Sequence, residues 1–144
     1  MPGWVSEGFE EYTRRLQARL PIKLVEIPAV RRGSGDVERA MAEEGRRQLA
    51  ATRPDDYLVA LDERGKVRTS IAVSQWLGER MQAGQDLGIL IGGADGFAPE
   101  VLARANERWS LSGLTLPHAL VRVVLAEQLY RAVTLLDGHP YHRE

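Results

Sequence analysis

Cysteine is absent from this 144-residue chain, which removes disulfides, thiolate metal sites and any thiol nucleophile at once. Also missing is an apolar run of the ~18 residues that a membrane helix needs, and the first residues lack the basic-then-apolar pattern of a signal peptide. A cytoplasmic protein is the expectation. Charge of one sign is lacking too: Lys and Arg number 19 against 20 Asp and Glu, a net charge of −1. Such a chain is no polycation and should bind naked nucleic acid weakly. The local basic groups, Arg14-Arg15 with Arg19, Arg31-Arg32 and Arg46-Arg47, read as solvated helix faces or loops.

What is present is ordinary for a globular protein, 44% apolar and 27% charged residues, and one domain over 1–144 is the simplest reading. Val5, Phe9, Tyr12, Leu16 and Leu20 recur at helical spacing, so an amphipathic helix opened by Pro2 and closed before Pro21 is expected. A strand at 22–27 and a loop over 28–35 follow. Asp36 is a plausible N-cap for a helix at 37–51 that buries Ala40, Met41 and Leu49. The continuous apolar run 57–61 suits a strand buried on both faces. After a turn at 63–66 comes a helix capped by Thr69 or Ser70 and ending near 82, then a second doubly buried strand at 87–91. A short helix after Pro99 and a strand near 108–111 lead to a last helix at 119–136. Strands alternating with helices imply βαβ units, and the class is α/β with an open, mainly parallel sheet.

The last helix differs from the others. Leu120, Val121, Val123, Val124, Leu125, Leu129, Tyr130, Val133, Leu135 and Leu136 cover most of its circumference. Such a helix needs cover on more than one side, and in a domain this small a second copy of the chain is the expected cover.

The strand at 87–91 runs into Ile91-Gly92-Gly93-Ala94-Asp95-Gly96. In open α/β sheets ligands sit beyond the carboxyl ends of strands, where Leu61-Asp62 and Gly92-Gly93 would fall. The loop is neither a Gly-x-Gly-x-x-Gly dinucleotide fingerprint nor a Gly-Lys-Ser/Thr phosphate loop, which speaks against hydride transfer and NTP hydrolysis. Glycine here either serves a turn or lets a ligand approach the backbone, and both readings stand.

Taken with Ser110-Leu111-Ser112-Gly113-Leu114-Thr115-Leu116-Pro117-His118, Val121-Arg122-Val123, the run from Glu127 to Ala132 and the terminal Tyr141-His142-Arg143, the loop closely resembles the RlmH family. These SPOUT-class methyltransferases act at N-3 of a pseudouridine at position 1915, in helix 69 of 23S ribosomal RNA. The similarity continues forward through Leu61-Asp62, Ile27-Pro28 and Pro2-Gly3-Trp4-Val5. It implies a parallel sheet whose C-terminal segment threads into a trefoil knot, working as a homodimer. Family members usually carry one more strand ahead of the Met1-Pro2 start, so the expected sheet lacks its first strand and leaves an edge unpaired. The resemblance also implies that S-adenosylmethionine lies in the knot against Leu61, Gly92, Leu111, Ser112, Gly113, Leu114, Thr115 and Leu116. An adenine ring needs flat apolar walls and a few backbone polar groups, which such segments provide. No metal is implied.

Methyl transfer to a ring nitrogen needs proximity and removal of the N-3 proton, and the lack of a thiol favours nitrogen or oxygen over a pyrimidine carbon. Candidates for the polar work are His118, Tyr141, His142 and Arg143, a His accepting the proton and Arg stabilising the imidate. Blander readings stand beside these. His118 can order its loop, and a terminal His-Pro-Tyr-His-Arg-Glu is commonly a frayed tail. His139 and His142 without a third ligand make a poor metal pair. With so little excess positive charge, the expected substrate is a composite surface on assembled ribosomes. Two alternatives are a non-catalytic ribosome-binding module, which need not bind S-adenosylmethionine, and a SPOUT-type enzyme acting on tRNA.

Overall fold

The computed structural model describes residues 2–33, 36–93 and 95–143, the last two of these, His142 and Arg143, by backbone alone. In chain order the elements are α1 (Gly3–Leu16), α2 (Val37–Ala50), β1 (Tyr57–Val67), α3 (Ser70–Ala83), β2 (Leu87–Ile91), α4 (Pro99–Arg104), β3 (Glu107–Ser110), α5 (His118–Leu136) and a closing 3-10 turn (Pro140–Arg143). They form two compact units, each assembled from separated stretches of chain: Met1–Lys23, Arg68–Gly84 and Leu114–Glu144 in the first, Leu24–Val67 and Gln85–Gly113 in the second.

The second unit holds the sheet. Its three strands are all parallel, in the order β2-β1-β3. As expected of a central strand, β1 buries Leu58, Val59 and Ala60 almost completely. A core of Leu58, Ala60, Leu90, Phe97, Ala98 and Val101 joins the sheet to α4, and burial of a large side chain such as Leu58 or Val101 stabilises by about 1.5–3 kcal/mol. The helices α2 and α4 meet closely because Gly45 has no side chain: a Cβ there would lie 2.8 Å from that of Ala98. Asp36 does cap α2, its side chain accepting from Arg39 N–H at 3.1 Å. Asn106 ties β3 to β1 through both its groups, its N–H donating to Leu58 O at 2.8 Å and its side-chain oxygen accepting from Leu58 N–H at 2.9 Å.

Three sequence expectations are corrected here. Residues 22–27 form no strand: they join no ladder of the sheet, and Leu24 and Val25 are exposed. An extended, β-prone segment becomes a strand only when a sheet edge accepts it. The strand β2 is not buried on both faces; only Leu90 is, since β2 lies at an edge of the three-stranded sheet. Finally β1 does not stop at Leu61. It swings out over 62–65 and returns, so Trp109 is the partner first of Leu61 and then of Lys66. Gly65 makes the return possible, because a Cβ there would sit 2.7 Å from backbone atoms of Arg108 and Trp109.

The first unit is helical. Within it α5 packs against both α1 and α3, and small residues set the spacing. A Cβ on Gly8 would meet Val123 at 3.2 Å, and one on Gly78 would meet Leu136 at 3.0 Å. Ser74, buried, donates to Ala132 O at 2.9 Å. Much of the cover that the apolar circumference of α5 requires thus comes from the same chain, burying Leu125, Ala126, Leu129, Ala132 and Val133. Leu120, Val121 and Val124, on the first half of the helix, stay half-exposed. Helix α1 ends four residues earlier than its apolar spacing predicts. Tight turns follow Leu16, whose carbonyl accepts from Arg19 and Leu20, and Pro21 turns the residue before it away from helical geometry.

Two glycines of the sheet unit predict different tolerances. A Cβ at Gly88 would meet the Leu58 Cδ2 atom at 2.6 Å, the far end of a side chain, whereas at Gly65 it would meet backbone. Gly65→Ala is expected to destabilise by about 2 kcal/mol or more and Gly88→Ala by clearly less, since only a side chain can shift aside. Urea denaturation midpoints measure both.

Candidate functional site

Register across the sheet defines one row at its carboxyl edge. Leu61 on β1 is the partner of Ile91 on β2 and of Trp109 on β3. One residue beyond that row the chain leaves β2 at Gly92, and two residues beyond it leaves β3 at Leu111. The structure therefore brings Leu61, Gly92 and Leu111 to the same edge, half-buried in each case. Ser112 and Gly113 continue from there: Ser110, buried, donates to Ser112 O at 2.7 Å and bends the segment, while Gly113 faces open space. The edge thus offers part-exposed apolar side chains beside backbone polar groups, a character that small-molecule sites use. Leu114, Thr115 and Leu116 belong to the first unit; Leu114 is 75% exposed, an unusual setting for a large apolar side chain just past a glycine.

The glycine loop folds upon itself. Gly96 N–H donates to Gly93 O at 3.0 Å, and Gly96 sits at φ 87°, a left-handed conformation that favours glycine. Gly92 suits the fold-back, because a Cβ there would lie 3.3 Å from the Gly96 carbonyl carbon. Side chains of α2 hold this loop. Gln48 donates to Ile91 O at 2.9 Å. One turn earlier Glu44 accepts both terminal nitrogens of Arg32, at 2.6 and 2.8 Å, while Arg32 Nε donates to Asp95 at 2.8 Å.

Arg32 was expected on a solvated loop and is instead three-quarters covered. Its hydrogen bonds hold the Glu44 carboxyl below the usual carboxylate range, against the burial that opposes ionisation, and raise the guanidinium further. Arg32 reads from sequence only as a loop cation, and Glu44 and Gln48 are not singled out there; their i, i+4 spacing on the predicted helix is the one signal of a shared face. Of the other basic groups, Arg14 and Arg15 pair with Glu11, Arg19 with Asp137, and Arg46 and Arg47 with Glu43, all exposed.

In the first unit the polar candidates separate. His118 is exposed at the start of α5, after Pro117. Tyr141 lies against the middle of the same helix: its hydroxyl donates to Glu127 Oε2 at 2.9 Å, its ring meets Tyr130 edge-on at 4.6 Å between centroids, and Arg131 lies over its face. Glu127 is itself held by Arg131 at 2.9 Å and by Gln128 at 2.7 Å. Nine helical residues separate His118 from Glu127, about 13 Å along the axis, so one chain does not bring His118 and Tyr141 together. The tail is docked as far as Tyr141. The side chains of His142 and Arg143 lie outside the described residues. Among those described, no group of His, Asp and Glu is placed to hold a metal ion, and no helix is long and apolar enough to cross a membrane.

A family model described as "Predicted SPOUT methyltransferase" matches residues 1–142. The chain is 56% identical to a "Ribosomal RNA large subunit methyltransferase H" of Alkalilimnicola ehrlichii, over 99% of this chain and 92% of the relative. Proteins of the same name are 48% identical in Hahella chejuensis, over 100% and 93%, and 51% identical in Stenotrophomonas maltophilia strain K279a, over 99% and 92%.

Docking of the tail predicts a pH dependence. Burial, and then the bond to Glu127, push the Tyr141 phenol above the ordinary tyrosine range. A raised pKa means that the stabilisation is complete at neutral pH and is lost as pH rises through the folded value. Ultraviolet titration is expected to show a tyrosine step above the ordinary range that Tyr141→Phe lacks.

Proposed function

Because the chain belongs to the SPOUT methyltransferase family, we propose that it methylates N-3 of a pseudouridine in helix 69 of 23S ribosomal RNA, acting on assembled ribosomes in the cytoplasm. The observation that carries this reading is the carboxyl-edge row, which sets Leu61, Gly92 and Leu111 together where an α/β sheet receives its ligand. Similarity to ribosomal RNA methyltransferases over nearly the whole chain supports the substrate class. Leu61, Gly92 and the run from Leu111 through Ser112, Gly113, Leu114 and Thr115 to Leu116 would hold S-adenosylmethionine, the apolar side chains flanking its adenine and the backbone groups reading its edges. When bound, that cofactor supplies an electrophilic methyl carbon on a sulfonium.

The chain's own residues must then position the base and remove its N-3 proton. Either His142 or His118 accepts the proton, and Arg143 stabilises the imidate as negative charge develops. Tyr141, whose hydroxyl donates to Glu127, anchors the tail just ahead of His142 and Arg143. The chain acts as one methyltransferase domain with the C-terminal knot of its family, and as a homodimer. Support for the dimer is the half-exposed apolar surface of Leu120, Val121 and Val124. Near-neutral charge fits a composite ribosomal surface better than free RNA.

Calorimetry tests the cofactor and kinetics the base. The protein is expected to bind S-adenosylmethionine, and His142→Ala to keep that affinity while kcat on ribosomes falls about 10²-fold, as for loss of a general base. No binding, or methylation of tRNA in preference to ribosomes, would refute the reading. If His142→Ala retains the wild-type rate, His118 is the base.

Sedimentation tests the assembly. Wild type should travel at twice the monomer mass, and Val124→Asp, which would bury an unpaired charge at the contact, should travel as a monomer or unfold. A stable wild-type monomer would count against the dimer.

A further inference from the structure

The glycine loop poses a mechanical problem. Gly92, Gly93 and Gly96 offer no side chains to pack, so apolar burial fixes the loop only where it leaves β2 and where Phe97 and Ala98 enter the core. Between those ends it is held by its own Gly96-to-Gly93 bond and by contacts from outside. Among the described residues one polar assembly supplies the latter. Arg32 directs Nε to Asp95 and both terminal nitrogens to Glu44, and Nη1 also donates to Val30 O at 2.8 Å. Glu44 in turn accepts Val30 N–H at 2.8 Å, and a Cβ on Gly93 would stand 3.2 Å from Glu44 Oε1, so the loop backbone rests against the carboxylate.

We infer that Arg32, Glu44 and Asp95 form a clamp that shapes the glycine loop for the cofactor, making Arg32 and Glu44 positioning residues of the methyltransferase. This rests on the cofactor site proposed above. Only a planar guanidinium can serve both carboxylates in these directions; an ammonium supplies the charge without the fork. The clamp grips the loop at Gly93 and Asp95, between its two ends in the core, so loosening it should displace the loop before it unfolds the sheet. A displacement of about 1 Å in a positioning element is enough to cost up to 10²-fold.

The test uses the full chain and four variants: Arg32→Lys, Glu44→Gln, Asp95→Asn and Asp95→Glu. Calorimetry gives Kd for S-adenosylmethionine, steady-state kinetics give KM for cofactor and for ribosomes separately, and thermal melting gives stability. Arg32→Lys, Glu44→Gln and Asp95→Asn are expected to raise Kd and cofactor KM about tenfold or more, with ribosome KM unchanged. Asp95→Glu, which keeps the anion, should stay near wild type. If the first three melt earlier yet keep the wild-type Kd, the clamp is only structural and the inference falls. Should Arg32→Lys fail to fold, the more exposed Asp95→Asn carries the same comparison. A wild type that binds no S-adenosylmethionine overturns the methyltransferase reading itself, and the inference with it.

Discussion

The pairing of β1 on both its edges is the constraint on which the candidate cofactor site depends. Because Leu61 is in register with Ile91 on one side and Trp109 on the other, the chain segments leaving all three strands emerge at one level. Parallel pairing makes those exits carboxyl ends, where backbone groups run out of ladder partners and become available to a ligand. Slipping β2 by a single residue would turn Leu90 out of the core and move Ile91 off the row. The registers are therefore fixed by burial of Leu58, Ala60 and Leu90 and by the bonds that Asn106 makes to Leu58.

Polar groups then refine what burial has placed. The loop after β2 is shaped by carboxylates and a guanidinium because glycines leave nothing apolar to grip, and the tail after α5 is held by Tyr141 on Glu127. Both arrangements are partly covered, and both engage charged groups, whose hydrogen bonds are the stronger kind. The exposed ion pairs on α1 and α2 contribute far less. Their effect is on the surface potential: arginines that would otherwise present bare cations face Glu11, Glu43 and Asp137, in keeping with a protein whose net charge is −1.

Helix α5 shows how an apolar circumference can be satisfied. Its second half is sealed by α1 and α3, with Gly8, Ser74 and Gly78 allowing the close approach. Its first half keeps Leu120, Val121 and Val124 half-exposed. The same helix carries His118 at one end and the Glu127 anchor near its middle. It thus sets the spacing between the two polar stations that the proposed chemistry would use.

Local physics in the sequence determined the elements whose causes are local. The Asp36 cap, the Thr69 cap, Pro99 at the start of α4, the buried run 57–61 and the glycine loop were legible because caps, prolines and apolar runs act on their own neighbours. The cofactor segments were legible only through family resemblance, since spacing alone left the glycine loop open to two readings. Tertiary structure decided what depends on a partner distant in the chain. Residues 22–27 have strand composition yet join no sheet edge; β1 returns to Trp109 because Gly65 admits a neighbouring backbone. Arg32, which reads as one cation in a Gly/Ser loop, meets Asp95 from 63 residues away. Such contacts have no periodicity to betray them, because the chain between the partners sets no fixed distance until the fold has closed.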